Sequence, residues 1–225
     1  LSEDCYTHLK RLSIQNGIAS QVINLASSHN QYILHNTLLG ILAKLGHIPY
    51  VLNQPLDFVD CIVGLDIGRE EKIRTTGSLS TVVATRLFNN HGLFLDYTIE
   101  NIAIEGETIS ESVLNQFFNI KFFHNKRVLI HRDGRFRGNE KKHLNKIAMQ
   151  LNAQFDFVEV VKANLTGMTH PRLYEFNTAQ QRYSNPPRGT GFYLDKNRAI
   201  LVTTPPMNTH ATARSLLIEK DGSCS

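Results

Sequence analysis

Tryptophan is absent from this sequence, and cysteine, methionine and proline are scarce, with 3 Cys, 3 Met and 7 Pro among 225 residues. The three cysteines (Cys5, Cys61 and Cys224) are far apart and odd in number, which excludes a disulfide scaffold and a Cys-x-x-Cys zinc site. No apolar run approaches the roughly 18 residues that a membrane-spanning helix needs, and no secretory signal pattern opens the sequence. We therefore expect a cytoplasmic protein without a membrane partner.

The charged residues are slightly unbalanced toward the basic side. There are 24 Lys and Arg against 20 Asp and Glu, which gives a net charge of +4 and a pI near 9.0. This excess permits a polyanionic partner without requiring one. The length suits one large domain, or a domain with part of a second.

The first part of the chain has a helical pattern. Apolar residues recur at helical spacing over residues 2–12 and 32–45, and a glycine follows each stretch as a stop signal. Residues 20–25 form a short apolar run that predicts a strand between the two helices. We predict a domain boundary near Asp57.

The second part, residues 58–225, alternates strands and helices. Asn89 to Gly92 separates two alternating stretches as a hairpin signal, and Thr108 with Glu111 has the spacing of a capping box at a helix start. The predicted elements are strands at 61–65, 79–88 and 93–99, a helix from 108, a strand at 127–131, a helix at 144–151, and strands at 155–161, 192–194, 199–203 and 215–218. This order predicts an α/β fold with a mixed sheet.

Two predicted strands each lead into an aspartate followed by a turn glycine. Asp66 precedes Ile67-Gly68, and Asp133 precedes Gly134. Ligands of α/β sheets tend to lie beyond the carboxyl ends of strands. If the two strands are neighbours, the carboxylates converge, and a hard cation such as Mg²⁺ or Mn²⁺ relieves their repulsion. The alternative is that each aspartate only stabilises a turn.

A third acidic residue would complete such a metal site. The region between the two strands offers Glu100, Glu105, Glu107 and Glu111. Glu107 follows Gly106 in a polar loop before the predicted helix, although an acidic residue there also favours a helix N-terminus electrostatically. Local sequence does not choose between Glu105 and Glu107.

A set of phosphate-binding side chains lies in the first part of the chain. Tyr6 and Lys10 are four residues apart and share one face of the predicted helix. Gln21 and Lys44 follow further along. Two lysines, a hydroxyl and an amide suit a terminal phosphate, which binds several charge-assisted donors. Taken singly, each is also an ordinary surface residue.

With these residues in hand, the chain resembles the MID–PIWI region of a prokaryotic Argonaute. Three stretches carry the resemblance: Tyr6-x-x-x-Lys10 with Gln21 and Lys44, Gly64-Leu65-Asp66-Ile67-Gly68-Arg69, and His131-Arg132-Asp133-Gly134-Arg135-Phe136. The resemblance implies an RNase H-like PIWI domain at 58–225, with a mixed central sheet flanked by helices. It also implies that residues 1–57 are the C-terminal part of a Rossmann-like MID domain.

The resemblance further implies a nucleic-acid-guided endonuclease that cleaves a target strand paired to a 5′-phosphorylated guide of DNA or RNA. Asp66, Glu107 and Asp133 would be catalytic, with Asp66 and Asp133 binding Mg²⁺ or Mn²⁺ for two-metal hydrolysis. Glu107 is preferred over Glu105 because Gly106-Glu107 resembles the mobile glutamate segment of that family. The nucleic-acid-binding residues would be Tyr6, Lys10, Gln21 and Lys44 at the guide 5′ end, and Arg135 at the guide backbone.

One ligand of the family's catalytic tetrad has no counterpart here. Asp221 lies too early in the sequence and His210 is a poor match, so the fourth ligand stays unassigned. We therefore expect this chain to act with the remaining parts of the same Argonaute or with a partner protein. Three alternatives stay open: a binding module that holds guide and target without cleavage, an unrelated RNase H-like nuclease or transposase, and a plain α/β domain whose aspartates are turn residues.

Overall fold

The computed structural model describes residues 3–23, 30–48, 50–71, 78–104, 108–118, 120–161, 174–203 and 215–221. The chain separates into two compact units, Leu1–Asn53 and Gln54–Ser225. The predicted boundary at Asp57 lies just inside the second unit. Residue 56 is attached to that unit because the Leu56 N–H donates to the Asn90 carbonyl at 2.9 Å. None of the helices in the described ranges is long and apolar enough to cross a membrane.

The first unit contains both predicted helices, α1 (Glu3–Gln15) and α2 (Gln31–Lys44). Gly17 and Gly46 follow them with φ values of 65° and 84°, a left-handed conformation that costs glycine little. The N–H of Gly46 donates to the Ala43 carbonyl and that of His47 to the Leu42 carbonyl, at 3.1 and 3.0 Å. This pattern is a Schellman motif, so the glycine stop signals were interpreted correctly.

The strand predicted at residues 20–25 is wrong where it can be checked. Residues 20–23 have no regular secondary structure, and the remaining two lie outside the described residues. The described part of this unit holds two helices and offers no neighbouring strand, so the apolar run has no ladder to join. Side-chain contacts to both helices hold residues 20 and 21 instead.

The second unit is built on a mixed eight-stranded sheet, which confirms the predicted fold class. The elements of this unit are β1 (Cys61–Glu71), β2 (Ser78–Asn89), β3 (Phe94–Ile104), α3 (Glu111–Phe118), β4 (Arg127–Asp133), α4 (Glu140–Gln150), β5 (Gln154–Val161), β6 (Glu175–Asn177), β7 (Arg182–Ser184), β8 (Gly191–Tyr193), β9 (Arg198–Val202) and β10 (Ser215–Lys220). The strands of the sheet have the order β3-β2-β1-β4-β5-β10-β9-β8. β1 and β4 are parallel, as are β4 and β5, and the remaining pairs are antiparallel.

The core lies on the face of the sheet that α3 and α4 cover. Alternate residues of β1, β4 and β5 point to this face and are buried against apolar side chains of the two helices. The largest of them are Leu65, Leu114, Phe118, Ile130, Leu144, Ile147 and Phe157. The intervening residues of the same strands, including Asp66 and Asp133, point to the opposite face.

Two local predictions need correction, and one hairpin was missed. The predicted capping box places the helix start at Thr108, but α3 begins at Glu111, and the Glu111 carboxylate lies 3.4 Å from His143 Nδ1. β1 does not end near Asp66, because its antiparallel pairing with β2 continues to Glu71. The exposed hairpin of β6 and β7 was not predicted, since its three-residue strands have no buried face to produce an apolar alternation.

Candidate active site

The register of β1 and β4 brings Asp66 and Asp133 together. The last parallel pair joins Leu65 to Arg132, and each aspartate is the next residue along its strand. Leu65 and Arg132 are buried on the helix-covered face, so the two aspartates share the other face. Residues 67 positions apart in sequence are thereby neighbours, as the sequence interpretation required.

The backbone of β4 ends at Asp133 for a local reason. Gly134 has a φ of 89°, which favours glycine, and its N–H donates to the Val160 carbonyl of β5 at 2.9 Å. This bond fixes the chain where it leaves the strand. The Asp133 carboxylate therefore stands at a defined end of the sheet.

Both aspartates line one cavity of about 320 Å³ on the open face of the sheet. Asp66 is exposed and Asp133 is half-buried. His131 and Arg86 line the same cavity, from β4 and β2. Two carboxylates beside each other match the hard oxygen ligands of Mg²⁺ or Mn²⁺.

His131 contributes a neutral group to this cavity. Its burial lowers the pKa of the imidazole below the ordinary value of 6.5. Burial therefore favours the neutral form of the imidazole in this cavity. The sequence interpretation did not select His131, although its position two residues before Asp133 places it on the same face of β4.

The acidic residues considered as a third ligand differ in what the structure shows. Glu100 pairs with Val83 across β2 and β3, which places it on the helix-covered face, where its carboxylate accepts from the Gln116 side chain. The Glu111 carboxylate faces His143. Glu105 and Glu107 lie outside the described residues. Within the described part of the chain, no group of three or more His, Cys, Asp or Glu side chains is arranged to hold a metal ion.

Of the two poor candidates for a fourth ligand, the structure describes only Asp221, which does not join the pair. Asp221 lines a different cavity, and its carboxylate lies 3.2 Å from Lys141 Nζ. His210 lies outside the described residues. The fourth position therefore stays unassigned.

Arg135 follows the same strand end but is engaged in an ion pair. Its Nη2 lies 2.6 Å from the Glu219 carboxylate of β10, and the side chain is 29% exposed. The guanidinium is thus paired with β10, and Arg135 is not among the residues that line the cavity containing Asp66.

In the first unit, the structure brings the four predicted phosphate-binding residues together around Ser20 and Gln21. Lys10 Nζ donates to the Ser20 carbonyl at 2.5 Å and lies 5.9 Å from the Tyr6 ring centroid. Lys44 Nζ donates to the Gln21 side-chain oxygen. A lysine from α1 and a lysine from α2 thus bond to neighbouring residues, Ser20 and Gln21, of the segment between the two helices.

A glycine inside α2 permits this arrangement. A Cβ atom at Gly40 would lie 3.3 Å from Gln21 Oε1, tighter than most such contacts. Glycine within a helix costs roughly 1 kcal/mol relative to alanine. The Gln21 side chain accordingly lies against the helix at this point, beside Lys44.

Comparison with known proteins gives the family. The sequence profile of the Piwi domain matches residues 2–204 and so spans both units. The Argonaute protein of Aquifex aeolicus is 29% identical over 176 residues, which cover 75% of this chain and 24% of that protein. The chain therefore spans about a quarter of the length of this relative.

Solved structures agree with this relationship. A structure of Aquifex aeolicus Argonaute superposes with a TM-score of 0.66 at 26% identity, covering 96% of this chain and 30% of that one. Methanocaldococcus jannaschii Argonaute in complex with guide DNA superposes with a TM-score of 0.61 at 19% identity, covering 94% and 28%, which shows the shared fold. The chain belongs to the Piwi domain family, with the RNase H-like fold and the likeness to prokaryotic Argonautes that its motifs predict.

Proposed function

We propose that this chain is the catalytic and guide-anchoring part of a nucleic-acid-guided endonuclease. Asp66 and Asp133 bind Mg²⁺ or Mn²⁺ and direct hydrolysis of a phosphodiester in a target strand paired to the guide. The observation that carries the proposal is the register of β1 and β4, which sets these two carboxylates side by side on the open face. The likeness to Argonautes, one of them solved with guide DNA, supports a guide nucleic acid and a complementary target as partners.

The roles follow from charge and position. Divalent ions in such a site would supply Lewis-acid stabilisation of the phosphoryl oxygens and lower the pKa of a bound water. Asp66 and Asp133 would orient these cations and neutralise their charge. By the family resemblance, Glu107 is the third catalytic residue.

The first unit is proposed to hold the guide 5′ phosphate as the C-terminal part of a MID domain. Lys10 and Lys44 supply charge, and Tyr6 and Gln21 supply neutral donors, around residues 20 and 21. The present bonds of the two lysines to Ser20 and Gln21 hold their ammonium groups in place. A phosphate would accept these donors instead. Arg135 is proposed to contact the guide backbone after exchanging its bond to Glu219.

A cleavage assay on the full-length protein tests the catalytic assignment. We expect Asp66→Asn and Asp133→Asn each to abolish Mn²⁺-dependent cleavage of a target strand while guide binding is retained. Asp156→Asn is the matched control, because Asp156 lies on the same face of the sheet but pairs with Leu129 near the other end of β4. Cleavage that persists in both single variants would remove the assignment.

A second candidate function is guide and target binding without cleavage. This alternative stays open because the fourth ligand of the family's catalytic tetrad is unassigned in this sequence. In that case, the wild-type protein binds phosphorylated guide and complementary target but yields no product with Mn²⁺ or Mg²⁺. The same assay therefore separates the two functions.

A further inference from the structure

Glu140 is a buried carboxylate that the proposed chemistry does not use. It is the first residue of α4, seven positions after Asp133, and only 2% of its surface is exposed. Its Oε1 accepts the Ile109 N–H at 2.7 Å, and its Oε2 accepts the Arg137 N–H at 3.1 Å. One side chain thus holds the segment entering α3 and the loop after β4.

Arg132 extends this network to the candidate metal ligand. Its side chain is 3% exposed, and its Nε lies 3.6 Å from Glu140 Oε2. Its Nη1 donates to the Asp133 carbonyl at 2.8 Å. The main chain of Asp133 is therefore fixed from the helix-covered face of the sheet, while its carboxylate points to the open face.

We propose that Glu140 is a positioning residue for Asp133, acting through Arg132 and the Arg137 backbone. This inference rests on the proposed function, because it assigns Glu140 the task of holding Asp133 where it shares a cation with Asp66. A buried ion pair is a costly way to gain stability alone, since desolvation of two charges offsets most of their attraction. Groups that orient metal ligands typically change metal affinity by about 10–100-fold when they are lost.

The geometry requires a carboxylate at this position. Two oxygens accept from two separate segments, and the negative charge compensates the buried Arg132. Glutamine has the same shape but only one accepting oxygen, and its amide group repels a second N–H. Glu140→Gln therefore preserves packing and removes one anchor together with the charge.

The test is a Mn²⁺ titration of the full-length protein by calorimetry, which does not depend on cleavage. We expect Glu140→Gln to weaken Mn²⁺ affinity by about tenfold or more, with guide affinity unchanged. His143→Gln is the matched control: His143 is also buried on α4, one turn further along, but its partner is Glu111 rather than Arg132. We expect that variant to retain wild-type Mn²⁺ affinity.

A second variant keeps the test decisive if Glu140→Gln fails to fold. Arg132→Lys retains the charge but removes the guanidinium, whose Nη1 donates to the Asp133 carbonyl. We expect a similar loss of Mn²⁺ affinity in this variant. A lowered melting temperature with wild-type Mn²⁺ affinity in a folded variant of either residue would overturn the positioning role. Wild-type protein that binds Mn²⁺ without cleaving would refute the proposed nuclease activity, yet the comparison of affinities would still decide the role of Glu140.

Discussion

Cys61 lies at the first position of β1 with its side chain fully buried, whereas Cys5 on α1 is exposed. Burial raises the pKa of the Cys61 thiol from 9.0 to about 11, because the thiolate would lose its hydration. The thiolate is the reactive form of cysteine, so both the burial of Cys61 and its raised pKa protect it from modification.

We therefore predict that iodoacetamide at pH 8 modifies Cys5 and leaves Cys61 intact in the folded protein. Peptide mapping by mass spectrometry measures each site separately, and denaturant provides the control in which Cys61 also reacts. Equal modification of the two cysteines in the native state would contradict this account.

The raised pKa of Cys61 also has a consequence for stability. As the pH rises from 9 toward 11, the unfolded chain loses the Cys61 proton before the folded protein does, so the free energy of unfolding falls in that range.

At the same scale, the sequence allows Asp66 and Asp133 to be selected but not Glu140. Each aspartate follows an apolar run and is followed by a glycine within two residues, and these are local signals. Glu140 begins a polar stretch of α4 that is typical of a solvated helix start. Its burial depends on contacts with Ile109 and Arg132 that no local pattern encodes. Long-range polar partners of this kind require the fold to be known.

Among the elements, β1 and β4 are joined at their starts, where Asp60, the residue before β1, bonds to Arg127, the first residue of β4. The Asp60 N–H donates to the Arg127 carbonyl at 2.8 Å, and the Arg127 N–H donates to the Asp60 carboxylate at 2.7 Å. The hydrogen bond from the Arg127 N–H to the carboxylate holds the pKa of Asp60 below its usual 3.8. The pair fixes the end of the two strands opposite to Asp66 and Asp133.

We predict that Asp60→Ala destabilises the protein by about 1 kcal/mol, the usual net contribution of one hydrogen bond. Chemical denaturation at pH 7 measures the change, with the exposed Asp57→Ala as control. The lowered pKa means that this contribution is present above about pH 4 and is lost as the pH falls through the folded-state pKa. If Asp60→Ala lost no more stability than Asp57→Ala, the hydrogen bonds between Asp60 and Arg127 would not stabilise the pairing of β1 and β4.

The correctly predicted elements at the centre of the sheet have a buried face, whereas α2 and β8 were predicted although none of their residues is buried. β1, β4 and β5 are continuous apolar runs or alternate cleanly, and α4 has an apolar stripe against the sheet. Within the described residues, the errors fall at residues 20–23, which join no strand, and in the β6–β7 hairpin, whose strands bury no residue. A strand without a buried face need not show an apolar alternation in its sequence.

On the scale of the whole molecule, the proposed activity needs two units with different tasks, one that anchors the guide and one that cleaves the target. The chain spans about a quarter of the Aquifex relative, so both tasks are tested in the full-length protein. The proposed phosphate site and the carboxylate pair each belong to one unit, and variants in one should leave the other intact.

We predict that Lys10→Ala and Lys44→Ala each weaken binding of a 5′-phosphorylated guide by about tenfold, the effect of losing one charged hydrogen bond. Binding of the same guide with a 5′-hydroxyl should change little. Equilibrium binding of both guides measures the difference, and Arg11→Ala on the exposed part of α1 controls for a general loss of positive charge. Equal losses for the two guides would show that the lysines do not bind the terminal phosphate.

The most direct measurement of the central claim is a double-variant cycle for Mn²⁺ affinity of the full-length protein, comparing Asp66→Asn, Asp133→Asn and the two combined. If the neighbouring carboxylates bind cations jointly, either single change already removes most of the affinity, and the combined variant loses little more. Losses that simply add, or affinities that stay at the wild-type value, would contradict a shared metal site between β1 and β4.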